Sequence, residues 1–138
     1  MRVFIDANIL VSVLNKEFPL FTYSARILSL ADNKKFTLFT SPVCLAIAFY
    51  FAEKKCGTQL AKQKIASLTS KMQIANIGKR EIEKALADKM VNDFEDGMQY
   101  YAALENRCTA IITQDTEDYY YSAIEVLDAE EFLKSHVL

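Results

Sequence analysis

The sequence predicts an α/β protein, a three-layer α/β/α sandwich with a central parallel sheet. Three observations carry that expectation. RVFI at residues 2–5 and TAIIT at 109–113 are β-branched or apolar runs without a polar alternation, as strands buried on both faces are. Such runs alternate along the chain with segments of helical periodicity, the order that builds a parallel sheet covered by helices on both faces. With 3 Gly and 2 Pro in 138 residues, the chain has few breakers and needs short connections.

Taken in order, RVFI is the first strand and stops at Asp6. ANILVSVLN begins a short helix. Pro19 opens a second helix, PLFTYSARILSLADN, with apolar Phe21, Ile27, Leu28 and Leu30. FTLFT is the second strand. SPVCLAIAFYFAEKKCG is a strongly apolar helix with Ser41 as N-cap, Pro42 in its first turn and Gly57 as its stop. Residues 58–70 and 79–88 read as amphipathic helices, with KMQIANI a short strand between them. DFEDGMQYYAALENR is a helix whose first turn carries acids, and Asp93 is placed to cap it. TAIIT is a buried strand, AIEVL a weak one, and AEEFLKSH the last helix. In a parallel sheet of this kind the functional crevice lies beyond the carboxyl ends of the strands.

Composition excludes several function classes. The run MRVFIDANIL is broken by Asp6 and Asn8, so it reads as neither a signal peptide nor a membrane span, and no other apolar stretch is long enough to cross a bilayer. Cys44, Cys56 and Cys108 are odd in number and widely spaced. They fit neither a zinc site nor a disulfide framework, suit a reducing cytoplasm, and read as core filler. His136 is the only histidine, which leaves a Ser-His or Cys-His hydrolase almost nothing to work with. Net charge is −2, unevenly spread: residues 54–90 carry nine Lys/Arg against three acids, and residues 91–138 eleven acids against two basic residues. Either two solvated faces or a polyanion-binding surface beside a cation-binding pocket would explain that split.

The acids converge. Asp6 ends the first strand, Asp115 lies just past TAIIT, Asp118 is one turn further on, and Asp96 starts the helix that feeds TAIIT. If those two strands are sheet neighbours, all of these acids face one crevice. Carboxylates a few Å apart resist joint ionisation unless a cation stands among them. An all-oxygen pocket without His or Cys points to Mg²⁺ or Mn²⁺. Such a site suits phosphodiester hydrolysis. Asn8 and Thr113 are placed to hold a carboxylate or a bound water by hydrogen bonding. Each acid also has a plainer reading: Asp6 as an N-cap, Asp115 and Asp118 as turn formers, Asp93 as a cap and not a ligand. Tyr119, Tyr120 and Tyr121 suit either base stacking or packing at the sheet edge.

In their order, FIDANIL, DFEDGMQYYAAL and IITQDTEDY resemble the PIN domain family. The resemblance spans essentially the whole chain, so residues 1–138 are expected to form a single PIN-like domain. The nearest type is the stand-alone bacterial PIN protein, similar to VapC toxins of toxin–antitoxin pairs. The resemblance implies a parallel sheet between helices and an acidic Mg²⁺ or Mn²⁺ site that cleaves single-stranded RNA. It further implies a homodimer and an antitoxin partner; the helices at 18–31 and 41–56 offer an apolar interface. Asp6 matches the first acid, Asn8 its polar companion and Asp96 the third acid. Asp115 and Asp118 match the last acidic loop, where either is the ligand. The family's second acid, a glutamate, has no counterpart: Ile47 falls near its place, and Glu53, nearly two turns on, does not substitute for it.

Three functions follow. The first is a metal-dependent endoribonuclease, a toxin held in check by an antitoxin. The second is a degenerate PIN domain that binds RNA or protein without cutting. The third, an aspartyl nucleophile at Asp6, would want a second Asp where Asn8 stands.

Overall fold

A computed structural model describes residues 1–137. The five strands are β1 (Arg2–Ile5), β2 (Thr37–Thr40), β3 (Gln73–Ile74), β4 (Ala110–Ile112) and β5 (Glu125–Leu127). They form one all-parallel sheet in the order β3-β2-β1-β4-β5. The helices are α1 (Ala7–Leu14), α2 (Leu20–Ser29), α3 (Pro42–Cys56), α4 (Thr58–Thr69), α5 (Lys79–Ala87), α6 (Phe94–Glu105) and α7 (Ala129–His136). They flank the sheet in the three-layer α/β/α arrangement that the alternation of strand and helix patterns predicts.

β1 lies at the centre, and Val3, Phe4 and Ile5 are fully buried. β4 runs beside it in the register Val3↔Ala110, Phe4↔Ile111 and Ile5↔Ile112, also with no exposed surface. That lack of alternation is the physical mark of strands covered on both sides. KMQIANI pairs over only Gln73 and Ile74 and forms the sheet edge. The segment expected to continue α2 tightens into a 3₁₀ turn over Leu30–Asp32.

The helix punctuation is as the residue types dictate. The Ser41 hydroxyl accepts from the Cys44 amide at 3.0 Å, and α3 stops at Gly57, whose φ of 85° is disfavoured for other residues. Asp128 and Glu131 exchange hydrogen bonds with each other's amides and close the start of α7. Gly97 lets α6 approach α5: a Cβ there would stand 2.6 Å from Val91 Cγ1 and 3.1 Å from Ala85 Cβ.

Part of the basic middle of the chain is used inside the fold. Lys55 donates to the Asn15 carbonyl, and Lys64 to the Leu14 carbonyl at 2.9 Å. Both ammonium groups sit where the dipole at the carboxyl end of α1 favours a cation. Among the described residues no helix is long and apolar enough to cross a membrane.

Candidate active site

The carboxyl ends of β1 and β4 are neighbours, so the residues that follow them meet. Asp6 follows β1 and continues the sheet ladder: its amide donates to the Ile112 carbonyl at 3.0 Å. It is 8% exposed. One carboxylate oxygen caps α1 by accepting from the Ala7 amide at 2.8 Å. The other accepts from the Thr113 hydroxyl at 2.9 Å and lies 3.3 Å from the Tyr119 hydroxyl. Asp6 is therefore both the N-cap and a member of the acidic cluster, two readings that the residue order left as alternatives.

Asn8 ties α1 to the loop after β4. Its amide donates to the Thr113 hydroxyl at 3.0 Å and to Asp115 at 3.2 Å, while its carbonyl oxygen accepts from the Gln114 amide at 3.1 Å. Thr113, fully buried, also accepts from the Asp115 amide at 3.1 Å. The start of α6 approaches from another direction. Asp93 caps it by accepting from the Asp96 amide at 3.1 Å, which leaves the half-buried Asp96 side chain free to face inward.

These pieces enclose an open cavity of about 310 Å³. Its walls include Asp6, Asn8, Glu17, Glu95, Asp96 and Asp115, together with apolar Ile47 and Phe51. Among the described residues no Lys, Arg or His lines it. Asp115 thus stands in the cavity, whereas Asp118, exposed on the 3₁₀ turn Thr116–Tyr119, lines only the outer face of its own loop. A second cavity of about 300 Å³ lies between α1, α2 and α4 and, among the described residues, has no acidic side chain in its walls.

Burial first, and for Asp96, Glu95 and Asp118 neighbouring negative charge after it, raises the acids of the site. The Asp96 carboxyl is pushed up to about 7, first by burial and then by Asp93, Asp6, Asp118 and Glu95. Asp6 is raised by burial, partly offset by its hydrogen bonds from Ala7, Thr113, Tyr119 and Cys44. Glu95 is raised by burial and then by Asp93 and Asp6. The Asp118 carboxyl is raised as well, by burial and then by Asp115, Asp93 and Glu117.

Residue order alone missed three participants. Glu95 is exposed and forms part of the cavity wall. Glu17, in the turn after α1, does the same. Tyr119, expected either to stack on bases or to pack, is 2% exposed, and its hydroxyl reaches Asp6 and Asp96 at 3.3 and 3.5 Å. Its neighbour Tyr120 is exposed and donates to the Met90 carbonyl.

The donor set suits a hard cation in part. Among the described residues no three acidic, histidine or cysteine side chains stand close enough together to form a metal site outright. Asp6 and Asp96 both lie within reach of the Tyr119 hydroxyl. One or two carboxylates with waters filling the remaining positions is the usual protein environment of Mg²⁺.

A fold of this topology with acids at the ends of two central strands defines a class, and comparison with known proteins supplies the family. The PIN domain model matches residues 2–117. Ribonuclease VapC1 of Aquifex aeolicus (strain VF5) is 31% identical over 135 residues, which cover 95% of this chain and 92% of that protein. The chain belongs to the PIN domain family. Among solved structures, VapBC2 of Rickettsia felis bound to a promoter DNA fragment matches with a TM-score of 0.70 at 17% identity, over 93% of this chain and 98% of that one. VapC20 of Mycobacterium tuberculosis, a Sarcin-Ricin loop cleaving toxin, matches with a TM-score of 0.69 at 16% identity, over 90% of this chain and 98% of that one. Both likenesses bear on the fold.

Proposed function

We propose that this protein is a Mg²⁺- or Mn²⁺-dependent endoribonuclease that cuts single-stranded RNA and serves as the toxin of a toxin–antitoxin pair. The observation that carries the reading is the cavity beyond β1 and β4, walled by Asp6, Asp96 and Asp115 and, among the described residues, by no cationic side chain. Family membership and a relative named as a ribonuclease support it. The solved VapBC structures support an antitoxin partner.

In this reading Asp6 and Asp96 hold the ion directly. Asp115, kept in place by Asn8, contributes from the loop after β4, and Asp118 adds negative charge from the outer face of the loop. Thr113 fixes the Asp6 carboxylate, and Asp93 fixes the first turn of α6 so that Asp96 faces the cavity. Bound there, Mg²⁺ or Mn²⁺ supplies Lewis-acid stabilisation of charge that builds on the phosphate. Ile47 and Phe51 present an apolar wall that limits water on one side. The protein works in the cytoplasm as a homodimer, and the exposed Phe18, Tyr50 and Phe51 lie in the two segments expected to pair subunits.

The test is cleavage of a single-stranded RNA with Mn²⁺ by the wild type, Asp6→Asn and Asp96→Asn. Cleavage is expected only from the wild type, and cleavage that survives both substitutions would sink the proposal. Ile47 in the cavity wall favours a second reading, a PIN domain that binds RNA or protein without cutting. Wild-type RNA binding without cleavage, and with unchanged affinity in both variants, would select it.

A further inference from the structure

Tyr119 ends the 3₁₀ turn that follows β4, and its ring is packed in the hydrophobic core. A buried tyrosine normally directs its hydroxyl to a partner, because an unpaired one is costly. Here the hydroxyl has two candidate partners, one from each side of the cavity. It stands 3.3 Å from an Asp6 oxygen and 3.5 Å from an Asp96 oxygen. Those acids come from elements far apart in the chain: Asp6 from the end of β1, Asp96 from the first turn of α6.

A phenol has one proton, so it serves one carboxylate at a time. Both distances exceed the usual O–H···O range, so neither bond is tight. What the hydroxyl supplies is a polar neighbour that both carboxylates reach. Thr113 cannot do this, since its hydroxyl serves Asp6 alone of the two. Ile47 puts an apolar side chain in the wall of the same cavity, so the aim of the carboxylates that do face it matters more.

We propose that Tyr119 is a positioning residue of this site, its hydroxyl aligning the Asp6 and Asp96 carboxylates for one divalent cation in the absence of a carboxylate at position 47. The inference rests on the metal-site reading above. It predicts that removal of one oxygen atom weakens metal binding while the fold is kept.

The experiment is calorimetric titration of Mn²⁺ into the wild type, Tyr119→Phe and Thr113→Val, with melting in EDTA as the control for folding. Tyr119→Phe is expected to raise the Kd for Mn²⁺ roughly 10-fold or more, the range for outer partners of metal ligands, with little change in the metal-free melt. Thr113→Val is expected to raise it less. A Kd in Tyr119→Phe equal to that of the wild type overturns the inference and leaves the metal site standing. Equal losses in both variants also overturn it, because generic support of Asp6 would then suffice. Absence of Mn²⁺ binding in the wild type removes the metal site itself and the inference with it. Should Tyr119→Phe fail to fold, the ultraviolet difference spectrum of the wild type decides: a tyrosine band shift on saturation with Mn²⁺ is expected, and none refutes the role.

Discussion

Asp96→Asn should stabilise the metal-free protein, although it removes a residue assigned to function. The carboxyl titrates at about 7 in the folded chain against 3.8 in the unfolded one. At full strength that gap is worth about 4 kcal/mol. The side chain is only half-buried, and screening by solvent brings the figure to about 1–2 kcal/mol. The sign follows from which state holds the proton more tightly. Below pH 4 both states are protonated, and the group costs nothing. As the pH rises from about 4 to about 7 the unfolded chain ionises freely, while the folded chain must place a charge among Asp93, Asp6, Asp118 and Glu95, so stability falls across that window. Asparagine keeps the shape and has nothing to ionise. Urea unfolding in EDTA at about pH 3.5 and at pH 8, followed by circular dichroism, measures the difference. The variant should exceed the wild type by about 1–2 kcal/mol at pH 8, or about 3–8 °C in Tm, and by much less at about pH 3.5. Saturating Mn²⁺ should reverse the order, since a ligand at a hundredfold over its Kd adds about 2.7 kcal/mol to the protein that binds it. A variant that is less stable at pH 8 without metal, or equally offset at both pH values, would refute the reasoning.

Ile47→Glu should lower the melting temperature in EDTA by adding a charge to an acidic cavity and should tighten Mn²⁺ binding; a titration showing unchanged affinity would separate position 47 from the site. Asp93→Ala removes the cap of α6 and is expected to cost about 1 kcal/mol in urea unfolding, with weaker Mn²⁺ binding because Asp96 loses its anchor. Gly97→Ala forces a methyl against Val91 and Ala85 and should cost about 1–3 kcal/mol, read as a lower denaturation midpoint. In a native thiol assay Cys56 should react alone on the fast timescale, because burial pushes the Cys44 and Cys108 thiols up to about 12; three fast thiols would contradict the packing.

The parallel sheet was legible because RVFI and TAIIT lack a polar face, and helix ends were legible where Ser41, Gly57 and Asp93 carry their own chemistry. The convergence of Asp6, Asn8, Thr113 and Asp115 followed from one condition, that β1 and β4 be neighbours, and they are. Other features depend on phase and distance that residue order does not encode. Glu95 and Asp96 are consecutive in one helical turn, so only the placement of α6 decides what each faces. Three successive tyrosines look alike in sequence; the 3₁₀ turn buries Tyr119 and exposes Tyr120. Lys55 and Lys64 read as solvated charge, yet their partners are carbonyls 40 and 50 residues away at the end of α1.

The backbone of Asp6 is part of the sheet ladder, through its amide bond to Ile112, and Thr113 extends the same ladder to Leu127. Amide hydrogen exchange should therefore divide the site in two. The amides of Asp6 and Thr113 should exchange only when the centre of the sheet opens, in the slowest class of the protein. Those of Asp115 and Glu95, on a turn and in the first turn of a helix, should exchange through local fraying. One half of the site is thus as durable as the fold itself, and the other half can rearrange around whatever enters the cavity while the sheet stays closed.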